Sequence, residues 1–149
     1  MKVVLDEGAF MPTKAHEDDA GFDLYAPHDF KIEGNCHTKG SCLFNFSIAS
    51  ATVDTGVHIA IPKAHVGMIK SKSGLNVKNG LTAEGVIDCG YTGSIVVKLY
   101  NHSQYERHFK KGDKIAQIVV MPISTEGLEL VNELEDTERG TGGFGSTGR

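Results

Sequence analysis

The 149-residue chain has no tryptophan, only four prolines and three cysteines, and no apolar run long enough to cross a membrane. Cys36, Cys42 and Cys89 are an odd count without a CxxC pair, which favours free thiols over a zinc site or a disulfide framework. Acidic residues (19) outnumber lysine and arginine (15). We therefore expect neither a nucleic acid nor a membrane as partner. The first ten residues lack the apolar core of a signal peptide, so we expect a cytoplasmic protein.

Strand patterns account for most of the remaining sequence. Apolar residues alternate with others over residues 53–61 and 95–99, a period typical of half-buried strands. Residues 115–121 predict a more buried strand, and Leu128, Leu130, Val131 and Leu134 predict one last strand. A single short helical turn, capped by Ser73, is expected. Glycine and proline separate these segments, so the pattern predicts a single all-β domain over residues 1–138, a sandwich or a barrel.

Residues 139–149, RGTGGFGSTGR, contain five glycines and little apolar surface, so we expect a flexible arm that orders on a ligand. Gly140, Gly142 and Gly145 match GxGxxG, but four residues follow, too few for the helix and strand of a dinucleotide fold. A P-loop is not expected either, because Arg149 stands where Lys is required. Two interpretations remain, a disordered linker or a backbone nest for phosphate.

Five segments resemble, in order, the motifs of the trimeric dUTPases: DAGFDLYAP, KSKSGL, GVIDCGYTG, GDKIAQIVV and RGTGGFGSTG. The resemblance implies a jelly-roll-like β fold and a homotrimer whose active sites are shared between subunits. It also implies Mg²⁺-assisted hydrolysis of dUTP to dUMP and pyrophosphate, which limits uracil in DNA and supplies dUMP for dTMP synthesis. The stretch from KSKSGL to GYTG is similar to dUTPases from bacteriophages of Gram-positive bacteria.

Asp88 is the catalytic candidate. An Asp followed by Gly90 is often only a turn former, but the resemblance implies a general base that activates water at the α-phosphorus. Tyr91, otherwise an ordinary cross-strand aromatic, would pack beneath the deoxyribose and exclude a 2′-hydroxyl. The backbone around Gly85 and Ile87 would bind uracil.

The resemblance also implies a set of phosphate-binding residues. These residues are Lys72, Ser73, Gln117, Arg139, Ser146 and Thr147. Gly74 and Gly145 are further substrate-binding candidates. Phe144 would stack over uracil when residues 139–149 close over the site. Mg²⁺ prefers oxygen ligands and keeps several waters, so it would bind mainly the substrate's phosphates, with Asp23 in contact through water or else serving only as a structural carboxylate.

Three positions depart from the family pattern. Lys72, preceded by Ser71, stands where Arg is usual and cannot form a bidentate fork. Thr82 replaces a common Asn, and Ser94 a common Glu. Two other functions remain open: a dCTP deaminase, on a related fold but without the glycine arm, and a dUTP-gated protein that signals to a partner through the arm.

Overall fold

The computed structural model describes residues 1–35 and 48–143. These residues form ten strands and one short helix: β1 (Val3–Leu5), β2 (Gly21–Tyr25), β3 (Phe30–Ile32), β4 (Ala49–Asp54), β5 (Val57–Ile59), β6 (His65–Lys70), α1 (Ser73–Asn79), β7 (Leu81–Asp88), β8 (Val96–Asn101), β9 (Arg107–Phe109) and β10 (Lys114–Pro122). The all-β prediction is confirmed. The helix in this part of the chain is neither long nor apolar enough to span a membrane.

Six strands form the main sheet in the order β2-β10-β6-β7-β8-β4, and two small sheets, β1-β5 and β3-β9, complete the fold. All these strand pairs are antiparallel. The long strand β7 changes partner along its length: residues 81–83 pair with β8 and residues 84–88 with β6. This exchange of partners lets the sheet curl around one core, as in a jelly roll.

The core lies inside this curled sheet. It includes Leu24, Ile69 and Ile118 from β2, β6 and β10, each at most 1% exposed. On β8 the predicted alternation is confirmed, because Val97 and Leu99 are buried while Lys98 between them is exposed. Each such side chain contributes about 1.5–3 kcal/mol to folding through its transfer from water.

The apolar run over residues 53–61 is two strands rather than one. A turn divides it, in which Gly56 has a φ of 66°, a left-handed conformation that favours glycine. The Asp54 carboxylate accepts the Gly56 N–H at 3.1 Å. As a result β4 joins the main sheet, while β5 pairs with β1.

The strand predicted at Leu128, Leu130, Val131 and Leu134 is wrong. No strand is present from residue 123 to residue 143, and the side chains of Leu128 and Leu130 are fully exposed. The spacing of these apolar residues suits a strand, but a strand needs a neighbouring edge, and this segment has none within the described chain.

Candidate functional site

The first candidate region is the turn that follows β7. Asp88 ends this strand with its side chain exposed, and Gly90 reverses the chain with a φ of 89°. The Tyr91 N–H closes the turn by donating to the Asp88 carbonyl at 3.2 Å. A cavity of about 240 Å³ lies beside the turn and is lined by Val86, Ile87, Asp88, Tyr91, Ser94 and Val96. The structure thus brings the base candidate and the sugar-binding candidate to one cavity.

The Tyr91 ring lies across Gly93. A Cβ atom at Gly93 would stand 2.5 Å from Tyr91 Cζ, so no larger residue fits there without moving the ring. The Tyr91 hydroxyl donates to the Ser94 carbonyl at 3.0 Å. Because the side chain is still 46% exposed, Tyr91 forms a fixed wall that a ligand can contact.

The second half of β7 has one edge that no described strand pairs with. Among the described strands, residues 84–88 pair only with β6. Alternate residues of an antiparallel strand direct their N–H and C=O groups to opposite edges, so some backbone groups near Gly85 and Ile87 face away from β6. They lie next to the cavity, where they are suited to hydrogen bonding with the polar edge of a base.

A second group of candidates lies where β2, β10 and β6 adjoin. Gln117 of β10 is opposite Asp23 on one side and Lys70 on the other. Its side-chain amide donates to the Ser71 carbonyl at 3.1 Å. Gly21 leaves room for this side chain, since a Cβ there would stand 3.0 Å from Gln117 Cδ. Gln117 is therefore held beside the segment that leads into α1.

Lys72, Ser73 and Gly74 form the beginning of α1. The prediction that Ser73 caps the helix is wrong: Lys72 is the N-cap, without a capping side-chain hydrogen bond, and Ser73 is the first helical residue. Ser73 and Gly74 are exposed, and nothing lies within 4 Å of a Cβ built on Gly74. This short segment offers an accessible hydroxyl and open backbone to an anion.

Asp23 is the most buried charged side chain of this group, with 6% of the side chain exposed. Lys72 donates to its Oδ1, and Lys114 to its Oδ2 at 2.7 Å. Burial by itself would raise the pKa of Asp23, but the hydrogen bonds and charges of Lys114 and Lys72 outweigh it and hold the pKa below its usual value. Both carboxylate oxygens are thus already bound to ammonium groups.

Lys114 is a site residue that the sequence did not single out. It lies three residues before Gln117 in the GDKIAQIVV segment and at the start of β10, opposite Tyr25 of β2. A lysine in an exposed strand position usually has no specific partner. Only the antiparallel pairing of β2 with β10 shows that its amine reaches Asp23.

The two groups lie at opposite ends of β6. Asp88 is paired with Val66 near the beginning of that strand, and Lys72 follows Lys70 at its end. Lys70 is four residue steps of extended chain beyond Val66, which corresponds to about 13 Å. One chain therefore does not bring Asp88 next to Lys72.

Arg139 lies in a turn at the end of the described chain. Its Nε donates to the Gly142 carbonyl at 3.1 Å, and Gly140 adopts a φ of 48°. Arg139 is exposed and has no hydrogen bond to the described sheet. Phe144, Gly145, Ser146 and Thr147, together with Cys36 and Cys42, lie outside the described residues. Their predicted roles remain predictions.

The fold and these groups first define a class, a single-domain all-β protein with a carboxylate beside a small cavity and a separate set of donors suited to an anion. The chain belongs to the dUTPase family, whose model matches residues 7–148. The deoxyuridine 5'-triphosphate nucleotidohydrolase of Clostridium tetani is 39% identical over 149 residues, covering 98% of this chain and 94% of that protein. The protein of the same name from Mus musculus is 39% identical over 148 residues, covering 99% and 83%.

Solved structures of phage dUTPases share the fold. The dUTPase of Staphylococcus bacteriophage 80alpha with dUPNHPP has a TM-score of 0.84 and 29% identity, covering 99% of this chain and 98% of that chain. A mutant of the dUTPase from phage phi11 of S. aureus, described with a structural Mg(II) ion, has a TM-score of 0.75 and 27% identity, covering 91% of this chain and 98% of that chain. These phage proteins are thus less similar in sequence than the clostridial and mouse proteins.

Proposed function

We propose that this chain hydrolyses dUTP to dUMP and pyrophosphate, with Asp88 as the general base. The observation that carries this function is the cavity that Asp88 and Tyr91 share, beside the edge of β7 that no described strand pairs with. A base, a sugar and an α-phosphate follow one another in dUTP. The strand edge, the carboxylate and the tyrosine all lie within residues 84–91 and beside this one cavity.

Substrate specificity follows from the walls of the cavity. The backbone groups of β7 near Gly85 and Ile87 bind the polar edge of uracil beside the cavity of about 240 Å³. Tyr91 packs beneath the sugar. A ribose would direct its 2′-hydroxyl against this ring, where the hydroxyl would clash or lose its hydrogen bonds to water.

The chemical step uses one water molecule. Asp88 accepts a proton from the water as the oxygen attacks the α-phosphorus. The bond from the α-phosphorus to the oxygen bridging to the β-phosphoryl group breaks, and pyrophosphate leaves with that electron pair. An exposed carboxylate at the rim of the cavity is placed to contact such a water. The products are dUMP, which keeps the new oxygen, and pyrophosphate.

The phosphates bind to the group around Lys72 and Gln117 and to residues 139–149. Lys72, Ser73, Gly74 and Gln117 supply ammonium, hydroxyl, N–H and amide donors, and Arg139 adds a guanidinium, which suits phosphate geometry. Phe144 stacks on uracil, and Gly145, Ser146 and Thr147 bind phosphate through backbone and hydroxyl groups. Most catalysis of phosphoryl transfer is positioning and charge neutralisation, which these residues provide.

Mg²⁺, when bound to the triphosphate, neutralises phosphate charge as a Lewis acid. The described residues contain no group of three or more His, Cys, Asp or Glu side chains placed to hold a metal ion. Asp23 has both oxygens occupied by Lys72 and Lys114. The chain therefore suits a cation carried by the substrate's phosphates, and Asp23 would meet a metal-bound water only if an ammonium group moved away.

We further propose a homotrimer with shared sites. In one chain Asp88 and Lys72 lie at opposite ends of β6, too far apart for one triphosphate to contact both closely. A second subunit brings its Lys72 group to the first subunit's Asp88, and a third contributes residues 139–149. The exposed Leu128 and Leu130 precede residues 139–149 and would be buried against a neighbour.

Product analysis tests the function. With Mg²⁺, the purified protein should release pyrophosphate from dUTP and no ammonia from dCTP. In water enriched in ¹⁸O, the label should appear in dUMP because attack is at the α-phosphorus. Ammonia from dCTP would indicate a deaminase instead, and dUTP binding without any product would indicate a binding protein.

Mixed trimers test the shared site. A chain ending at residue 138 and full-length Asp88→Asn should each be almost inactive. Unfolded together in equal amounts and refolded, they give about three mixed trimers in four, each with one good site in three. Roughly a quarter of wild-type activity should return. Inactive mixed trimers, verified by native mass spectrometry, would contradict the shared site.

A further inference from the structure

A series of hydrogen bonds connects the wall of the cavity to a separate part of the sheet. The Ser94 hydroxyl donates to Oδ1 of Asp54, at the end of β4. The same Asp54 oxygen accepts the Gly56 N–H at 3.1 Å. The pKa of Asp54 is held below its usual value by the Ser94 hydroxyl and then by the Gly56 N–H, so this acceptor is a carboxylate at neutral pH.

The other end of this series of hydrogen bonds is Tyr91. Its hydroxyl donates to the Ser94 carbonyl at 3.0 Å, and its ring lies on Gly93, which has no side chain to set the position of the ring. Ser94 therefore binds Asp54 through its side-chain hydroxyl and the Tyr91 hydroxyl through its backbone carbonyl. If Ser94 shifts, the ring can shift with it.

A second contact holds the same turn independently. His58 of β5 has its Nδ1 2.8 Å from the Thr92 carbonyl and its Nε2 3.2 Å from Oδ1 of Asp6. Segment 91–94 is thus bound at Thr92 and at Ser94 by the corner between β4 and β5. This second contact keeps the turn in place when the Ser94 contact alone is removed.

Resting on the proposed dUTP hydrolysis, we propose that Asp54 and Ser94 are positioning residues that hold Tyr91 against the sugar and so set the discrimination of dUTP from UTP. A site that excludes the 2′-hydroxyl of UTP by steric contact needs a Tyr91 ring that stays in place. Asp54 itself lies outside the lining of the cavity, and so it acts on the substrate only through Ser94 and Tyr91.

The test compares kcat/KM for dUTP and for UTP in four variants and the wild type. Ser94→Ala and Asp54→Ala should each lower the dUTP/UTP selectivity about tenfold, the fold-change expected for one hydrogen bond to a charged group. The loss should come mainly from a higher kcat/KM for UTP. Asp54→Asn keeps an oxygen acceptor and should restore most of the selectivity. Ser50→Ala, an exposed serine on the same strand, is the matched control and should behave as wild type.

Two further measurements make the result specific. The double variant Ser94→Ala with Asp54→Ala should lose no more selectivity than either single variant, since both substitutions remove the same Ser94–Asp54 hydrogen bond. Tyr91→Phe removes the hydrogen bond from the Tyr91 hydroxyl to the Ser94 carbonyl and leaves Ser94 and Asp54 unchanged. It should show the same loss of selectivity even if another variant folds poorly. Thermal melting verifies that each protein is folded.

Unchanged selectivity in Asp54→Ala, Ser94→Ala and Tyr91→Phe would overturn the proposal, as would additive losses in the double variant. Neither outcome would touch the proposed function, which depends on pyrophosphate release from dUTP by the wild type. A wild type that releases none would overturn both.

Discussion

Replacing Asp23 with Asn isolates the charge at the centre of the phosphate-binding group. The side chain keeps its shape but loses its charge, and its amide NH₂ now faces one of two lysine ammonium groups. A lost hydrogen bond to a charged group costs about 1.5–3 kcal/mol. The larger penalty for a stranded buried charge, about 3–5 kcal/mol, does not apply in full because the Lys72 and Lys114 side chains are 27% and 43% exposed.

We therefore expect Asp23→Asn to be destabilised by about 2–3 kcal/mol, within the range for a hydrogen bond to a charge. In a protein of this size that corresponds to a fall in Tm of about 5–10 °C. The assay is thermal melting at one fixed protein concentration, because the stability of an oligomer depends on concentration. Asp18→Asn removes the same charge from an exposed position and should melt as wild type.

The pH dependence gives a second reading. Because the folded pKa of Asp23 lies below the usual value of 3.8, the carboxylate stabilises the fold above about pH 3.8 and this stabilisation is lost as the pH falls through the folded pKa. The difference between wild type and Asp23→Asn should thus be full at pH 7 and shrink below pH 3.8. Equal melting of the two proteins at pH 7 would refute the two-lysine arrangement.

Three other predictions test separate parts of the site. UTP should have a kcat/KM far below that of dUTP, and comparable values would remove Tyr91 from sugar recognition. EDTA should abolish pyrophosphate release and added Mg²⁺ should restore it, whereas strong hydrolysis in metal-free buffer would contradict a cation on the phosphates. A chain ending at residue 138 should fold and form trimers but turn over dUTP poorly, because Arg139 and Phe144 are missing; full activity would exclude residues 139–149 from the site.

Much of the sheet could be predicted because burial on one face imposes a period of two on the sequence. The buried residues Val97 and Leu99 alternate with exposed neighbours, and the apolar run at 115–121 is the interior strand β10. The alternation of apolar residues continues on both sides of the turn at Gly56, so only the glycine itself indicates that the run is divided there. Asp54 two residues before Gly56 is a further local signal of this turn.

The motifs predicted individual residues of the candidate site but not the contacts between residues that are distant in sequence. Asp88 and Tyr91 lie three residues apart, and a turn brings them to one cavity. Lys114 and Asp23 are distant in sequence, so their contact depends on the register of β10 against β2. The last strand was predicted wrongly because the apolar pattern of residues 128–134 specifies a strand but not the chain that supplies its partner.

The base assignment is tested most directly by Asp88→Asn under saturating dUTP and Mg²⁺. We expect kcat to fall about 10²–10⁴-fold, the usual contribution of a general base, while the Kd for a non-hydrolysable dUTP analogue stays close to wild type. Glu84→Gln on the same strand, whose carboxylate pairs with Lys70 at 2.8 Å outside the cavity, should keep normal turnover. Near-normal pyrophosphate release by Asp88→Asn would contradict the account.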